Sequence, residues 1–267
     1  MGKVVLITGA SAGIGRACAE QLDRARWTVV GASRRGMSSG GWPGIVMDVD
    51  RDGSVRAGVA GVLEQHGSLD GLVACAGWAL AGAVEQTPIA EAKDQFETNF
   101  WGAVRLVQAA LPVMRAQGSG RIVLMSSMAG VIGLPFHAFY SATKFAMEGF
   151  GEALAYEVAP FGIDVTLVEP GNVRSGLFAS GRRGAAPPEG NDPYRHAGRR
   201  AAAQMEKQET AGATPDAVAG VVQRVLEARH PPRRVTVGSF DERVGVLAKR
   251  LVPHRLFERT ARGRLGV

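Results

Sequence analysis

Cysteine is almost missing from this chain: Cys18 and Cys75 are the only two in 267 residues. That excludes a fold held by disulfide staples, and both thiols sit in apolar stretches, where they read as small buried hydrophobes of a reducing compartment. Aromatic residues make up 6% and are not interleaved with cations, so no nucleic-acid partner is expected. No apolar run reaches the ~18 residues that a membrane-spanning helix needs, and no membrane insertion is expected. The opening "MGKVVLITGA" meets glycine too soon for a secretory leader, which points to the cytoplasm.

Glycine is what the chain has in plenty. Its 36 glycines and 13 prolines are too scattered for a low-complexity chain and suggest many tight strand–helix turns. With 46% hydrophobic residues there is ample core for one large domain over 1–267. Charge is uneven. Residues 174–267 hold 18 Lys and Arg against 9 Asp and Glu, whereas residues 1–173 hold 13 against 16, giving +6 in all. A basic C-terminal third suits an anionic ligand, an anionic surface or plain solvation.

Short apolar runs alternate with amphipathic stretches. "KVVLITGA", "TVVGASRR", "GIVMDV", "LDGLVACAG", "GRIVLMSS", "IDVTLVEPG" and "RRVTVG" read as seven strands. "GIGRACAEQLDRARW", "DGSVRAGVAGVLEQHG", residues 88–117 and residues 139–160 read as helices between them, with Pro112 a kink or a helix start. "TPDAVAGVVQRVLEAR" is a further helix with Thr214 as N-cap and Pro215 at its first position. Such alternation predicts an α/β fold: one doubly wound parallel sheet of about seven strands, with helices on both faces. Between 174 and about 213 the pattern dissolves, apart from a helix near 193–209. A basic amphipathic tail covers 241–267, with Leu247, Leu251, Leu256 and Phe257 among Lys249, Arg250, Arg255 and Arg259.

The first strand runs directly into "TGASAGIG" and then into a helix. Glycine there lets backbone approach a diphosphate, while the helix N-terminus offers N–H donors and a positive dipole end. Thr8, Gly9, Ser11, Gly13, Ile14 and Gly15 are therefore candidate dinucleotide contacts. A fold that prefers NAD places an acid at the end of the second strand to accept from the ribose 2′-hydroxyl. "GASRRG" has none. It offers Ser33, Arg34 and Arg35 where a 2′-phosphate would sit, so NADP(H) is the expected cofactor. Asp48 in "MDVD" suits an adenine amino group with Val49 against the ring, or a helix N-cap.

"FHAFYSATKF" places Tyr140 and Lys144 one helical turn apart. An unperturbed phenol has a pKa near ~10, too high for proton exchange at neutral pH. A neighbouring ammonium favours the phenolate and makes it a general acid/base. "MSSMAG" brings Ser126 or Ser127 to the same sheet edge.

These motifs together resemble the short-chain dehydrogenase/reductase family, over residues 3–173 by motif and over the rest by layout. "TGASAGIG", "ACAG", "ETNFWG", "MSSMAG", "YSATK" and "PGNVRS" match its segments in order. The resemblance implies a Rossmann-type sheet and a catalytic tetrad of Asn99, Ser127, Tyr140 and Lys144. In it Ser127 would hold the substrate oxygen, Tyr140 would transfer the proton, Lys144 would also reach the cofactor ribose, and Asn99 would hold a relay water. It also implies cofactor contacts at Ala76, Gly77, Pro170, Gly171, Val173 and Ser175, a substrate lid over 176–210, and a homo-oligomer, dimer or tetramer. Cys75 departs from the pattern, standing where the family usually has Asn.

The helix after Tyr140 looks most like the 17β-hydroxysteroid and retinol dehydrogenase branch. Trp78, Phe136, Phe139, Leu177 and Phe178 are candidate pocket walls, and His137 either touches substrate or caps the helix. The expected activity is hydride transfer between NADP and a ketone or secondary alcohol of moderately large apolar character. A 3-oxoacyl thioester reductase is the rival among enzymes. A non-catalytic NADP-sensing module is the rival outside them, and the intact set of four residues weighs against it. No metal site is assigned.

Overall fold

The computed structural model describes residues 2–36, 41–178, 182–183, 192–253 and 255–258. Strand β1 (Val4–Thr8) leads to α1 (Gly13–Arg24), β2 (Thr28–Ser33), β3 (Gly44–Val46), α2 (Asp52–His66), β4 (Gly71–Ala74) and the short β5 (Leu80–Ala81). Helix α3 (Ile89–Phe96) passes through a π turn (Glu97–Trp101) into α4 (Gly102–Gln117). Then come β6 (Gly120–Met125), α5 (Ala138–Val158), β7 (Ile163–Pro170) and β8 (Arg182–Arg183). The remaining elements are α6 (Arg195–Ala211), α7 (Pro215–Glu227), β9 (Arg234–Val237) and α8 (Phe240–Leu251).

Seven strands form one sheet in the order β3-β2-β1-β4-β6-β7-β9, with every neighbouring pair parallel. The strand runs are apolar throughout because both faces of the sheet are covered. Successive side chains alternate between two cores. Val4, Leu6, Leu72, Ile122 and Leu124 face α2, α4 and α5, while Val5, Ile7, Val73 and Val123 face α1 and α7. Each such fully buried side chain is worth about 1.5–3 kcal/mol of hydrophobic stabilisation. Helix α5 lies tightly on the sheet: a Cβ on Gly151 would come within 2.9 Å of Leu167 Cδ2. That contact fixes the height at which Tyr140 and Lys144 stand over the strand ends.

The helical stretch expected over 88–117 is two helices joined by the π turn, and Pro112 lies inside α4 rather than at a helix start. The two-residue ribbon of β5 and β8, which pairs Leu80 with Arg182 and Ala81 with Arg183, has too short a run of sequence to be foreseen. Of the segment expected as a lid, 179–181 and 184–191 lie outside the described residues, as do 259–267 of the tail. The helix expected near 193–209 is α6. A bridge between Val173 and Ala213 closes the base of that segment.

Thr214 caps α7 as its sequence suggests, its Oγ1 accepting from Ala217 N at 3.2 Å. Thr214→Ala should lower unfolding free energy by about 1 kcal/mol, read from the urea midpoint, with the slope unchanged. An unchanged midpoint would show that the cap contributes nothing.

Candidate active site

Because the central strands all run one way, β1, β4, β6 and β7 end at one edge, and the loops beyond them enclose a cavity of about 1230 Å³. Gly9, Ser11, Gly13, Ile14 and Gly15 line one end. Gly9 and Gly13 have φ of +69° and +52°, in the left-handed region that favours glycine. Gly15 is required for a different reason: a Cβ there would lie 2.4 Å from Gly9 O. Thr8 is buried and does not line the cavity. Its Oγ1 accepts from Cys75 N at 3.1 Å and from Ala76 N at 3.2 Å, which fixes the β4 loop against β1 and presents Ala76 and Gly77 to the cavity. This bracing passes through backbone at Cys75, so the missing Asn side chain leaves it intact.

At the end of β2, Ser33 and Arg34 line the cavity, and the buried Ser33 Oγ has no hydrogen-bond partner among the described residues. Arg35 stands outside the wall and donates from Nη2 to Ser11 Oγ at 3.4 Å. Asp48 and Val49 line the same end. Asp48 is not the α2 N-cap, which is Arg51. Its Oδ1 instead accepts from Asp50 N at 3.2 Å, a local turn that holds the carboxylate at the cavity.

Ser127, Tyr140 and Lys144 meet at the middle of the cavity. Ser127 sits at the end of β6, donates from Oγ to Pro170 O at 3.3 Å and accepts from Ala129 N at 3.1 Å. Lys144 is buried and donates from Nζ to Met125 O at 2.8 Å. Burial pushes the Tyr140 phenol up to about 12, against the pull of its hydrogen bond with Ser127. It also pushes the Lys144 ammonium down to about 8. This corrects the expectation that Lys144 makes Tyr140 acidic. Desolvation of the phenolate wins, and Tyr140 is held as a neutral donor.

Asn99 stands in the π turn but does not line the cavity. Its Oδ1 accepts from Trp78 N at 3.0 Å, and its Nδ2 donates to Trp78 O at 2.9 Å and Thr143 Oγ1 at 3.3 Å. The side chain thus joins the β4 loop to α5.

The far end is apolar. Trp78, Leu177 and Phe178 line it, beside Leu134 and Ile132. Phe136 and His137 do not. Phe136 has a φ of +59° and its carbonyl accepts from Gly82 N at 2.8 Å. His137 is the buried N-cap residue of α5, with Nδ1 3.3 Å from Pro135 O; burial lowers its pKa. Its ring packs edge-on to Phe178 at 5.1 Å, and Phe178 packs on Tyr140 at 5.8 Å. It therefore backs the wall and does not face the cavity.

Sequence reasoning missed the contribution of the C-terminal segment. Val244, Gly245, Ala248, Val252, Leu256 and Phe257 line the cavity. The four-residue spacing of 244, 248 and 252 was the available signal. Leu247 and Leu251, the more hydrophobic choice, are exposed. Pro170, Gly171, Val173 and Ser175 from the β7 loop complete the wall.

The short chain dehydrogenase family model matches residues 3–185. This chain belongs to that family. A 3-ketodihydrosphingosine reductase of Bacteroides thetaiotaomicron is 35% identical over 257 residues, spanning 96% of this chain and 95% of its own. Bovine retinol dehydrogenase 8 is 36% identical over 252 residues, spanning 87% of this chain and 80% of its own. A short-chain dehydrogenase from Streptomyces avermitilis, solved by crystallography, superposes with a TM-score of 0.81 at 36% identity, with 98% of each chain covered. The retinol dehydrogenase likeness of the Tyr140 helix thus extends along most of the chain.

In a short-chain dehydrogenase the cavity takes a nicotinamide cofactor, and Gly15→Ala should damage that end alone. The added methyl must displace Gly9 backbone, weakening nicotinamide dinucleotide binding by about tenfold or more, on the order of 1.4 kcal/mol. Quenching of tryptophan fluorescence on titration would measure it, and an unchanged dissociation constant would contradict the cradle.

Proposed function

We propose that the chain is an NADP-dependent reductase of ketones of moderately large apolar character. The observation that carries this reading is one cavity holding a glycine cradle at one end, Ser127, Tyr140 and Lys144 at its middle, and an apolar wall beyond them. The residues fit the cofactor. Gly9, Gly13 and Gly15 leave backbone free for the diphosphate at the α1 N-terminus, and the unpartnered Ser33 Oγ offers a hydrogen bond toward a ribose. Arg34 and Arg35 would hold a 2′-phosphate, Asp48 and Val49 the adenine, and Pro170, Gly171, Val173 and Ser175 the nicotinamide side.

When bound, the cofactor supplies the hydride. Ser127 hydrogen-bonds the substrate carbonyl oxygen and orients it. Tyr140 donates its phenolic proton to that oxygen as negative charge develops there, which a desolvated neutral phenol is suited to do. Lys144, whose ammonium burial makes a stronger acid than that of an exposed lysine, lies 5.7 Å from the Tyr140 ring centroid and returns a proton to the phenolate. Asn99 acts through the Trp78 backbone, holding the loop that carries the wall. Leu177, Phe178, Val244, Ala248 and Phe257 exclude water and favour apolar substrates. The sphingoid and retinoid names of the relatives agree with that preference. The segment 176–210 would serve as the lid; its flanks are joined by the bridge between Val173 and Ala213, and Tyr194, among its described residues, donates from Oη to Glu85 at 2.6 Å.

No helix among the described residues is long and apolar enough to cross a membrane. Exposed Trp101, Phe145 and Tyr156 on α5 and the turn beside it support a homo-oligomer formed through that face.

Tyr140→Phe keeps the ring and removes the proton, so turnover of an aryl or cyclic ketone should fall by about two to four decades while NADPH still binds. Near-normal turnover would overturn the assignment. Ser33→Asp places a carboxylate beside the ribose and should shift kcat/KM from NADPH toward NADH by about tenfold or more, since a charge-assisted contact is lost and a repulsion gained. If the unsubstituted enzyme already prefers NADH, the reading of Arg34 and Arg35 fails.

A further inference from the structure

Glu242 sits in the first turn of α8, yet its carboxylate reaches across to the end of β7. Oε1 accepts from Asn172 N at 2.8 Å and from Asn172 Nδ2 at 2.7 Å. Oε2 accepts from Ser239 N at 2.7 Å, while Ser239 Oγ accepts from Glu242 N at 3.3 Å, completing a capping box. Two glycines make room for it. A Cβ on Gly171 would lie 2.6 Å from Oε1, and a Cβ on Gly238 would lie 2.6 Å from Oε2. A capping box alone needs only the Ser239 contacts. The second half of the arrangement, in which one oxygen is bound twice by a residue 70 positions away, is outside that motif.

Both sides of this contact belong to the cavity wall. Gly171 and Asn172 adjoin Pro170, whose carbonyl accepts from Ser127 Oγ. On the other side α8 supplies Val244 and Ala248 to the apolar end. Charge-assisted hydrogen bonds are the stronger kind, so the carboxylate joins the loop and the helix as one body.

We propose that Glu242 is a positioning residue, whose carboxylate locks the Gly171–Asn172 loop to the helix that walls the substrate end. Substrate pressing on α8 and cofactor pressing on the loop then stabilise the same arrangement, and each favours the other's binding by the same factor. The inference rests on the reductase reading for what occupies the two ends.

The test compares Glu242→Ala with Glu242→Gln in the full chain. The single amide oxygen of Gln still accepts from Asn172, where two donors converge, and leaves the Ser239 bond unmade. Ala loses both contacts. Turnover of an apolar ketone with NADPH should fall tenfold or more in the Ala variant and less than threefold in the Gln variant. NADPH affinity should weaken with Ala, while 2′,5′-ADP, which reaches only the adenosine end, should bind both variants as it binds the unsubstituted protein. Equal losses in Ala and Gln would overturn the proposal, as would parallel loss of 2′,5′-ADP binding, which marks a general stability role. An Ala variant with unchanged turnover and NADPH affinity would do so too. If the unsubstituted protein bound neither NADPH nor NADH, it would be the reductase reading that failed.

Discussion

A parallel sheet ends all its strands at the same side, and this one constraint assembles the cavity. β1 delivers the glycine cradle, β4 the Ala76–Gly77 backbone, β6 Ser126 and Ser127, and β7 the Pro170–Ser175 loop, all at one edge. None of these segments is near another in sequence. Their mutual height is set by ladder register, in which Ile7 stands beside Val73, Val73 beside Val123, and Val123 beside Thr166. A slip of one residue would turn every apolar side chain to the other face, so the two cores that flank the sheet also hold the register of the site.

On this frame the polar groups are arranged by desolvation. Lys144 could not be buried without an acceptor, and Met125 O at the end of β6 supplies one at 2.8 Å. Burial then moves the two titrating groups apart, the phenol up to about 12 and the ammonium down to about 8. Both shifts favour the uncharged form, so passing a proton from the ammonium to a phenolate runs downhill, more so than between two exposed side chains. Cys75 adds to this balance. Its thiol is pushed up to about 11 by burial, so at neutral pH it is a neutral small group beside Lys144 rather than a competing anion.

Sequence made the sheet legible because each strand had to be apolar on both faces, and it made the cradle legible because close backbone approach leaves glycine as the residue that fits. The Tyr140 and Lys144 pair was legible from helical spacing alone. What did not show was how side chains divide their hydrogen bonds. Nothing in "ETNFWG" tells that both polar ends of Asn99 are engaged, two of the contacts being with Trp78 backbone, or that a π turn places it there. His137, one turn before Tyr140, read as either a substrate contact or a helix cap; it takes the N-cap position, with its ring edge-on to Phe178. The tail divides: Leu256 and Phe257, named for their hydrophobicity, line the cavity, whereas along α8 the smaller Val244 and Ala248 do so and Leu247 and Leu251 are exposed.

The unsatisfied polar atoms follow the same logic. Buried oxygens without partners are uncommon because each costs free energy. Ser33 Oγ, Asp50 Oδ1 and Ser126 Oγ are three of them among the described residues, and all three residues line the one large cavity. Ser33 ends β2 and Ser126 follows β6, so the unmatched hydroxyls stand at separate points of the wall. Elsewhere in the fold Arg234 binds Glu148 and Glu152, and Thr236 donates to Glu169 at 2.7 Å, yet Glu148 Oε1 is also left without a hydrogen bond among the described residues. What sets the cavity hydroxyls apart is their place: Ser33 Oγ and Ser126 Oγ belong to residues of the wall, where a polar ligand can satisfy them.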